Sequence, residues 1–269
     1  MNIDTNDLIG PCQQLIKDAC CRLMMPSFCQ IERGYKADGS VITDVDHLMQ
    51  DFLGRGLSDL LPDSVLLGEE MSKKQQQQAL HTGKPVWCLD PLDGTNNYSV
   101  GIPYFSVSLS LIHEAKVIMG IVYDPVRDEF FTAHSSGKAL LNDVPLQLQQ
   151  SGLKLNKSIA IIDFKRLPMQ LRTDLINRSP YSSQRSFGSV ALDWCWLAAG
   201  RGHIYLHGRS NIWDYAAGHF IFSKAGGLSC TLDGESIFID ELRPRSALAA
   251  VDQTLFDAWQ EWLGIENSG

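Results

Sequence analysis

Residues 87–98 read WCLDPLDGTNNY, and this stretch combines an apolar strand with two aspartates. The run 87–89 is typical of a buried strand that stops where Asp90 and the following proline begin a turn. Asp90 and Asp93 stand three residues apart, with the Leu92 carbonyl between them. Hard cations such as Mg²⁺ bind carboxylate and carbonyl oxygens. The spacing is therefore compatible with a divalent-cation site at the end of the strand.

The turn continues with Gly94 and Thr95, which favour the start of a helix. The first backbone N–H groups of a helix have no intrahelical partner and can hold a phosphate. A cation site and an anion site on one turn are typical of a metal-dependent phosphate enzyme. A simple Asx turn capped by Thr95 explains the same residues, and the spacing alone does not decide between the two interpretations.

Two other segments carry acidic residues in positions that suit a shared site. Glu69 and Glu70 follow a short strand predicted at 61–67, so they lie at a strand end, where α/β proteins collect ligand-binding residues. Asp214 begins a predicted helix in WDYAAG at 213–218. Each also has a plainer explanation, because adjacent glutamates are usually solvated surface and Asp214 could serve as an ordinary N-cap.

The composition excludes several classes of protein. The 269 residues carry 31 acidic and 23 basic side chains, giving a net charge of −8, and 44% of them are hydrophobic. This apolar share predicts a globular core and argues against disorder. No run reaches the roughly 20 apolar residues of a membrane span, so we expect no membrane insertion. The negative charge disfavours nucleic-acid binding.

The seven cysteines form no CxxC or CxxH pair. An odd number of cysteines, in a sequence whose polar and acidic start resembles no secretory signal, predicts reduced thiols in the cytoplasm. Cys12, Cys20, Cys21 and Cys29 cluster near the start of the sequence, where a metal or redox role is conceivable. We expect them to be small apolar fillers on a helix.

The first part of the chain reads as helices followed by a sheet. Amphipathic spacing predicts helices over 7–25 and 43–60, separated by turn-forming residues at 36–40. The polar segment 71–83 is expected to be a solvated loop. Alternation of apolar and polar residues then predicts three consecutive antiparallel strands, at 105–111, 117–123 and 129–133.

The pattern changes after about Pro145. Helices and strands alternate there, which is typical of an α/β unit. The strands are predicted at 159–162 and 203–206, and the helices at 169–177, 189–199, 214–225 and 254–263. We therefore expect two layered halves with the metal site between them. Residues 1–145 would carry most of the metal ligands, and residues 146–269 would complete the metal and substrate site.

Three of these segments, taken in order, resemble the signature of one family. GEE at 68–70, DPLDGTNNY at 90–98 and WDYAAG at 213–218, followed by AGG at 225–227, are similar to the inositol monophosphatase family. That family lies within the fructose-1,6-bisphosphatase superfamily of lithium-sensitive phosphatases. The resemblance covers roughly residues 36–227 and includes GIPYFSVS at 101–108. It implies an α/β (α+β) fold, a layered αβαβα sandwich, and a homodimer.

The resemblance also implies a metal-binding role for each acidic segment. Glu69, Asp90 and the Leu92 carbonyl would bind a first Mg²⁺. Asp93 and Asp214 would bind a second Mg²⁺, with Asp90 shared between the two. Whether the active site holds two or three Mg²⁺ ions stays open.

The implied catalytic residues are Thr95, Asp46 and Glu69. Thr95 would orient the attacking water, helped by Asp46, which lies in ITDVD at 42–46. A threonine hydroxyl is not a strong base, so a carboxylate must orient it or relay its proton. The backbone of Gly94 and Thr95 would hold the phosphate.

The implied substrate contacts are Asp93, Gly94, Thr95, Gly188, Ser189, Val190, His207 and Asp214. Family members that act on inositol phosphate place an acidic residue seven positions before the aspartate of the WD segment, and here that position holds His207. His207 can still hydrogen-bond a hydroxyl, can suit a more anionic substrate, or can simply lie at the surface.

The expected activity is Mg²⁺-dependent hydrolysis of a small phosphomonoester by direct in-line attack of a metal-activated water. Inositol monophosphate is the first candidate for this phosphorylated metabolite. Alternatives in the same superfamily are 3′-phosphoadenosine 5′-phosphate, fructose 1,6-bisphosphate and histidinol phosphate. A regulatory protein without turnover is a further alternative, although a buried, uncompensated carboxylate cluster would then cost stability for no chemical purpose.

Overall fold

The computed structural model describes residues 3–28, 34–35 and 41–265. Its α-helices are α1 (Thr5–Ala19), α2 (Asp44–Leu60), α3 (Lys73–Leu80), α4 (Thr95–Val100), α5 (Met169–Asn177), α6 (Val190–Ala198), α7 (Ile212–Lys224) and α8 (Gln253–Leu263). A π-helical turn, Cys20–Met24, continues α1. Cys29 and the turn predicted at 36–40 lie outside the described residues.

The strands build two large sheets and one short ribbon. In chain order they are β1 (Gly34–Tyr35), β2 (Val41–Ile42), β3 (Val65–Gly68), β4 (Val86–Asp93), β5 (Ser106–His113), β6 (Lys116–Asp124), β7 (Glu129–His134), β8 (Leu140–Leu141), β9 (Val144–Pro145), β10 (Ile159–Asp163), β11 (Ser183–Arg185), β12 (Ile204–Ser210), β13 (Leu228–Cys230) and β14 (Arg245–Ala250).

In the first large sheet the strands from β3 to β9 are neighbours in chain order. β3 is parallel to β4, and every later neighbour is antiparallel. The three consecutive antiparallel strands predicted from the alternation are therefore confirmed as β5, β6 and β7. The parallel pair places the ends of β3 and β4 at the same edge of the sheet.

Helices α1 and α2 pack on one face of this sheet. Their apolar residues, among them Ile16, Met49 and Leu53, join Leu109 and Ile121 of the strands in one buried cluster. Cys12 and Cys20 belong to the same cluster. The prediction of apolar fillers is confirmed for these two cysteines, but it is wrong for Cys21, which is exposed.

Helices α6 and α7 pack together on the other face of the first sheet. The alternation of β5 suits both layers, because Val107, Leu109 and Leu111 face α1 and α2, while Ser108 Oγ donates to the Trp213 carbonyl at 2.9 Å. At Gly120 the helix comes so close that an added Cβ would lie 3.0 Å from the Ala217 oxygen. Small residues on sheet and helix thus let α7 sit against the strands.

The second sheet has the order β11-β10-β12-β14-β13 and combines parallel with antiparallel neighbours. Helices α6 and α7 lie between the two sheets, and α8 packs against β12, β13 and β14. The resulting order is helix, sheet, helix, sheet, helix, which confirms the predicted αβαβα sandwich. The core around α6 and α7 takes residues from both sides of position 145, so the two halves share it.

One local prediction is wrong, and one inner strand of the second sheet was not predicted. Residues 71–83 were expected to form a loop, but they contain α3, which a Ser72 and Gln75 capping box starts and which buries Gln76, Ala79 and Leu80. The polar composition conceals this one buried face. The sequence also gives no clear signal for β14, an alanine-rich strand that β12 and β13 flank. Within the described residues, no helix is both long enough and apolar enough to cross a bilayer.

Candidate active site

Strand β4 brings Asp90 and Asp93 to the edge of the first sheet. The strand is buried along its whole length and runs through Asp93, three residues farther than the sequence predicted. Its register against β5 shifts between Asp90 and Asp93, and Asp90 Oδ1 accepts a hydrogen bond from Leu92 N at 3.0 Å. Such an irregularity changes the direction of a strand and of its side chains. It explains how both carboxylates of one strand end reach the same region.

Gly94 and Thr95 form the turn that follows β4. Gly94 has a φ of 99° and is the N-cap of α4, so the predicted helix start is confirmed. A side chain at Gly94 would meet the Tyr104 carbonyl oxygen at 3.1 Å, and its positive φ independently favours glycine. The amide groups of Gly94 and Thr95 therefore stay close to the aspartates.

Asp46 lies behind Thr95 and is almost fully buried. The Thr95 hydroxyl lies 3.1 Å from Asp46 Oδ1 and 3.0 Å from the Leu92 carbonyl oxygen. Asp46 Oδ2 accepts hydrogen bonds from Thr43 N at 2.8 Å and Thr43 Oγ1 at 2.6 Å, as part of the capping box of α2. The predicted pairing of Thr95 with Asp46 is thus present, although the two residues are 49 positions apart.

Glu69 lies at the end of β3, beside the end of β4, and its N–H donates to the Leu89 carbonyl at 3.1 Å. Two buried glutamines hold this segment. Gln76 Nε2 donates to the carbonyls of Gly68 at 3.0 Å and Glu69 at 3.1 Å. Gln50 Oε1 accepts from Glu70 N at 2.9 Å. No role was predicted for either glutamine. Gln76 belongs to a polar run with no distinguishing pattern.

Asp214 belongs to the first turn of α7, but it is not the N-cap. Asn211 is the N-cap, and Asp214 Oδ2 accepts from Asn211 N at 2.8 Å in a reciprocal capping box. The ordinary N-cap explanation of Asp214 is therefore wrong. Because α7 lies against β4, β5 and β6, its first turn brings this carboxylate to the end of the first sheet.

Burial and neighbouring charges raise the pKa values of three aspartates of the site. Burial raises the pKa of Asp90 well above its usual value, and the charges of Glu69, Asp93 and Asp214 raise it further. Burial likewise raises the pKa of Asp214, with Glu69 and Asp93 adding to the effect. Burial raises the pKa of Asp93 to about 6, although hydrogen bonds from Ser189 and Ala191 oppose the change. Four acidic groups thus share one region, where burial and their mutual repulsion outweigh the opposing charge of Arg166 at Asp214.

The donors of this region fit a hard divalent cation. Carboxylates and one backbone carbonyl are the ligands that Mg²⁺ prefers, and a cation removes the repulsion that raises the pKa of Asp90, Asp93 and Asp214. Among residues 3–28, 34–35 and 41–265, no three acidic, histidine or cysteine side chains already surround one point as a closed cage. The fit rests on the chemistry of the donors and on their mutual repulsion.

The second half of the chain reaches Asp93 through the segment before α6. Asp93 Oδ2 accepts hydrogen bonds from Ser189 Oγ at 2.6 Å and from Ala191 N at 2.7 Å. Gly188, with a φ of 90°, and Val190 flank Ser189. Asn97, for which the sequence predicted no role of its own, bridges this segment to the residues before β5 by donating to the Phe187 carbonyl at 2.6 Å and the Tyr104 carbonyl at 2.7 Å.

His207 is buried on β12, and both of its ring nitrogens have partners. Nε2 lies 3.1 Å from Asp163 Oδ2, and Nδ1 accepts from Arg209 N at 3.2 Å. The expectation that His207 simply lies at the surface is wrong, since the residue is 3% exposed. Its contact with a substrate stays a prediction. Asp163 directly follows the strand predicted at 159–162. An acidic residue at a strand end is the same signal that singled out Glu69, so it could have singled out Asp163 as well.

The family follows from comparison with known proteins. A model described as the inositol monophosphatase family matches residues 13–261. The chain belongs to this family. Inositol monophosphatase 1 of Solanum lycopersicum is 33% identical over 86% of this chain and 85% of that protein. The Nus factor SuhB of Pasteurella multocida (strain Pm70) is 32% identical over 74% of each chain.

Solved structures of family members share the fold. SaIMPase-II with bound inositol monophosphate is 27% identical and superimposes with a TM-score of 0.78, over 96% of this chain and 92% of that chain. The same protein with bound 2′AMP is 28% identical, also with a TM-score of 0.78, over 96% of this chain and 93% of that one. Together with the family match, these structures identify the chain as a phosphatase of the inositol monophosphatase family.

Proposed function

We propose that this phosphatase hydrolyses a small phosphomonoester in a Mg²⁺-dependent reaction, with inositol monophosphate as the first candidate substrate. The observation that carries the proposal is the shared region formed by Glu69, Asp90, Asp93 and Asp214, where burial and mutual repulsion raise the pKa values of the three aspartates. Phosphoryl transfer requires positioning and charge neutralisation rather than a covalent protein nucleophile. These carboxylates suit that requirement.

The proposed metal ligands are Glu69, Asp90, the Leu92 carbonyl, Asp93 and Asp214, for two or three Mg²⁺ ions. When bound, Mg²⁺ neutralises the phosphate charge and makes water a better nucleophile at neutral pH. Ionised carboxylates are costly in this buried region. A divalent cation would offset that cost because it neutralises more than one of them. The hydrogen bonds to Asp93 from Ser189 and Ala191 fix the orientation of that carboxylate.

Thr95 and Asp46 are proposed to orient the attacking water. The Thr95 hydroxyl has a single hydrogen, and both Asp46 Oδ1 and the Leu92 carbonyl oxygen lie within reach of it. Donation to Asp46 leaves the Leu92 carbonyl available as a ligand and leaves the Thr95 oxygen lone pairs to accept a hydrogen bond from water. Asp46 cannot turn away, because Thr43 holds its other oxygen.

The substrate phosphate is proposed to bind at the amide groups of Gly94 and Thr95. The first residues of a helix have N–H groups without intrahelical partners. Gly94, with its positive φ, begins α4 directly after Asp93, so these N–H groups lie next to the aspartates. The alcohol part of the substrate would lie against the second half of the chain. The residues proposed to line it are Gly188, Ser189, Val190, His207 and Asp214.

Phosphate release from a panel of substrates, with and without Mg²⁺, tests the proposal. The panel contains inositol 1-phosphate, fructose 1,6-bisphosphate, 3′-phosphoadenosine 5′-phosphate, histidinol phosphate and β-glycerophosphate. We expect Mg²⁺-dependent release with the highest kcat/KM for inositol 1-phosphate. Preference for the nucleotide, the bisphosphate or histidinol phosphate would replace the substrate but keep the reaction. No release from any compound in the presence of Mg²⁺ would refute the reaction.

A regulatory role is a second candidate, and the similarity to the Nus factor SuhB of Pasteurella multocida is the observation that favours it. The two candidates respond differently to Asp93→Asn in cells that lack the native protein. An enzymatic role requires the intact carboxylate, so the variant should fail to restore the wild-type phenotype. A regulatory role predicts full restoration.

The family resemblance also supports a homodimer, which light scattering on the purified protein would test.

A further inference from the structure

Asp163 and His207 form a pair across two parallel strands. β10 and β12 are neighbours in the second sheet, and Asp163 lies opposite His207 in their register. His207 Nε2 is 3.1 Å from Asp163 Oδ2. The backbone N–H of Lys165 donates to Asp163 Oδ1 at 2.8 Å. Each oxygen of the Asp163 carboxylate therefore has one protein contact that fixes its orientation.

The hydrogen bonds of His207 define its role in this pair. Nδ1 accepts from Arg209 N, so Nε2 carries the proton that is donated to Asp163. The imidazole is buried and stacks on Tyr205, with a ring-centroid distance of 6.2 Å and an angle of 17°. A substrate hydroxyl could reach a ring nitrogen only by replacing one of these bonds. His207 is thus arranged to hold Asp163.

Asp163 retains exposure and acceptor capacity. Its side chain keeps 29% of its surface accessible, against 4% for His207. A carboxylate offers about four lone-pair positions, and the two protein contacts use only two of them. Burial opposes ionisation, but the hydrogen bond from His207 lowers the pKa of Asp163 below its usual value. The exposed part of this group is an ionised acceptor near neutral pH.

The backbone places Asp163 beside the active site. The turn after Asp163 lies against Gly208 so closely that an added Cβ would be 2.0 Å from the Arg166 carbonyl oxygen. From Gly208, β12 continues to Ser210 and then into α7, which carries Asp214 in its first turn. The end of β10 that carries Asp163 is therefore the direct neighbour of the strand that leads into the helix carrying Asp214.

We propose that Asp163 accepts hydrogen bonds from hydroxyl groups of a polyol phosphate in the active site, and that His207 is the residue that positions it. This inference rests on the proposed function and names a specificity-determining residue for it. The acceptor that relatives place at the position of His207 is supplied here by the neighbouring strand.

Steady-state kinetics with two substrates tests the role of Asp163. Inositol 1-phosphate offers hydroxyls, whereas 4-nitrophenyl phosphate has none on its leaving group. A hydrogen bond to a charged group contributes about 1.5–3 kcal/mol, so Asp163→Asn should raise the KM for inositol 1-phosphate roughly 10-fold or more. The kinetics with 4-nitrophenyl phosphate should stay within about twofold of the wild type, which also reports that the variant folds. Asp174→Asn, which alters an aspartate ion-paired with Arg178 on α5, is the matched control.

Variants of His207 separate positioning from packing. His207→Leu removes the donor and should raise the KM for inositol 1-phosphate by a larger factor than it lowers kcat. His207→Gln retains a donor and should restore part of the loss. Equal effects of Asp163→Asn on both substrates, or no effect on either, would overturn the inference and leave the proposed function intact. A wild-type protein that hydrolyses neither substrate with Mg²⁺ would overturn both.

Discussion

Gln76 donates hydrogen bonds to the backbone of Glu69, the proposed ligand and catalytic residue at the end of β3. Its Nε2 lies 3.1 Å from the Glu69 carbonyl oxygen and 3.0 Å from that of Gly68. The amide is buried, and it comes from the helix α3 rather than from the sheet. The orientation of the Glu69 segment therefore depends on a helix that has no other evident connection to the chemistry.

Gln76→Ala should weaken Mg²⁺ activation more than it lowers the maximal rate. The carbonyls of Gly68 and Glu69 each lose a hydrogen bond from Gln76, although Gly68 keeps the one from Met71 N. Residues that orient metal ligands typically alter metal affinity 10- to 100-fold. We expect the Mg²⁺ concentration for half-maximal activity to rise about 10-fold, with kcat at saturating Mg²⁺ within about threefold of the wild type. Gln77→Ala, at the exposed neighbouring position, is the control. Identical behaviour of the two variants would contradict the positioning role.

Asp46→Asn should lower kcat about 100-fold while leaving KM nearly unchanged. The asparagine oxygen would take the two hydrogen bonds from Thr43, so its NH₂ group would face Thr95. Thr95 could then donate only to the Leu92 carbonyl, and the orientation of its hydroxyl would reverse. Rates measured at saturating Mg²⁺ against Asp51→Asn, an exposed position on the same helix, check this prediction. An unchanged kcat would remove Asp46 from the mechanism.

Mg²⁺ should stabilise the fold through the carboxylate cluster. A ligand at 100 times its Kd adds about 2.7 kcal/mol to the free energy of unfolding, which corresponds to a rise in Tm of roughly 5–10 °C for a chain of this size. Asp93→Asn removes a proposed ligand without a change of volume, so it should abolish most of that rise and nearly all turnover. Thermal unfolding with Mg²⁺ and with EDTA measures the effect. A rise in the Tm of Asp93→Asn with Mg²⁺ equal to that of the wild type would refute the assignment of Asp93 as a ligand.

The parts of the site that the sequence predicted are those encoded by contiguous residues. The DPLDGT segment contains its strand end, its turn and its helix start within a few positions, so local rules were sufficient. The pairing of Asp46 with Thr95 could not be derived in this way, because it depends on how α2 packs beside β4. The family resemblance supplied it, and the 3.1 Å contact agrees with that expectation.

The missed features depend on partners that are distant in sequence. β14 is alanine-rich, so its intrinsic strand propensity carried little information. It forms a strand because it pairs with β12 on one side and β13 on the other. Asp163 gains its significance from His207, a residue 44 positions later that lies opposite it in the register. Such relationships come from the sheet topology, which single-residue patterns do not encode.

His219 should make the fold less stable in mild acid. Burial lowers its pKa from the usual 6.5 to about 4, and the ring packs edge-on against Trp194 at 5.2 Å. Between these pH values the unfolded chain binds more protons than the folded protein, so stability is complete above about pH 6.5 and falls as the pH decreases towards 4. We expect the free energy of unfolding to fall by about 2 kcal/mol. The whole change in the pKa of His219 corresponds to roughly 3 kcal/mol, and the loss is smaller because the residue is only half-buried. Urea unfolding at several pH values in EDTA should show a shallower loss for His219→Gln than for the wild type or for the exposed-site control His47→Gln. Parallel profiles for all three proteins would show that another group causes the acid sensitivity.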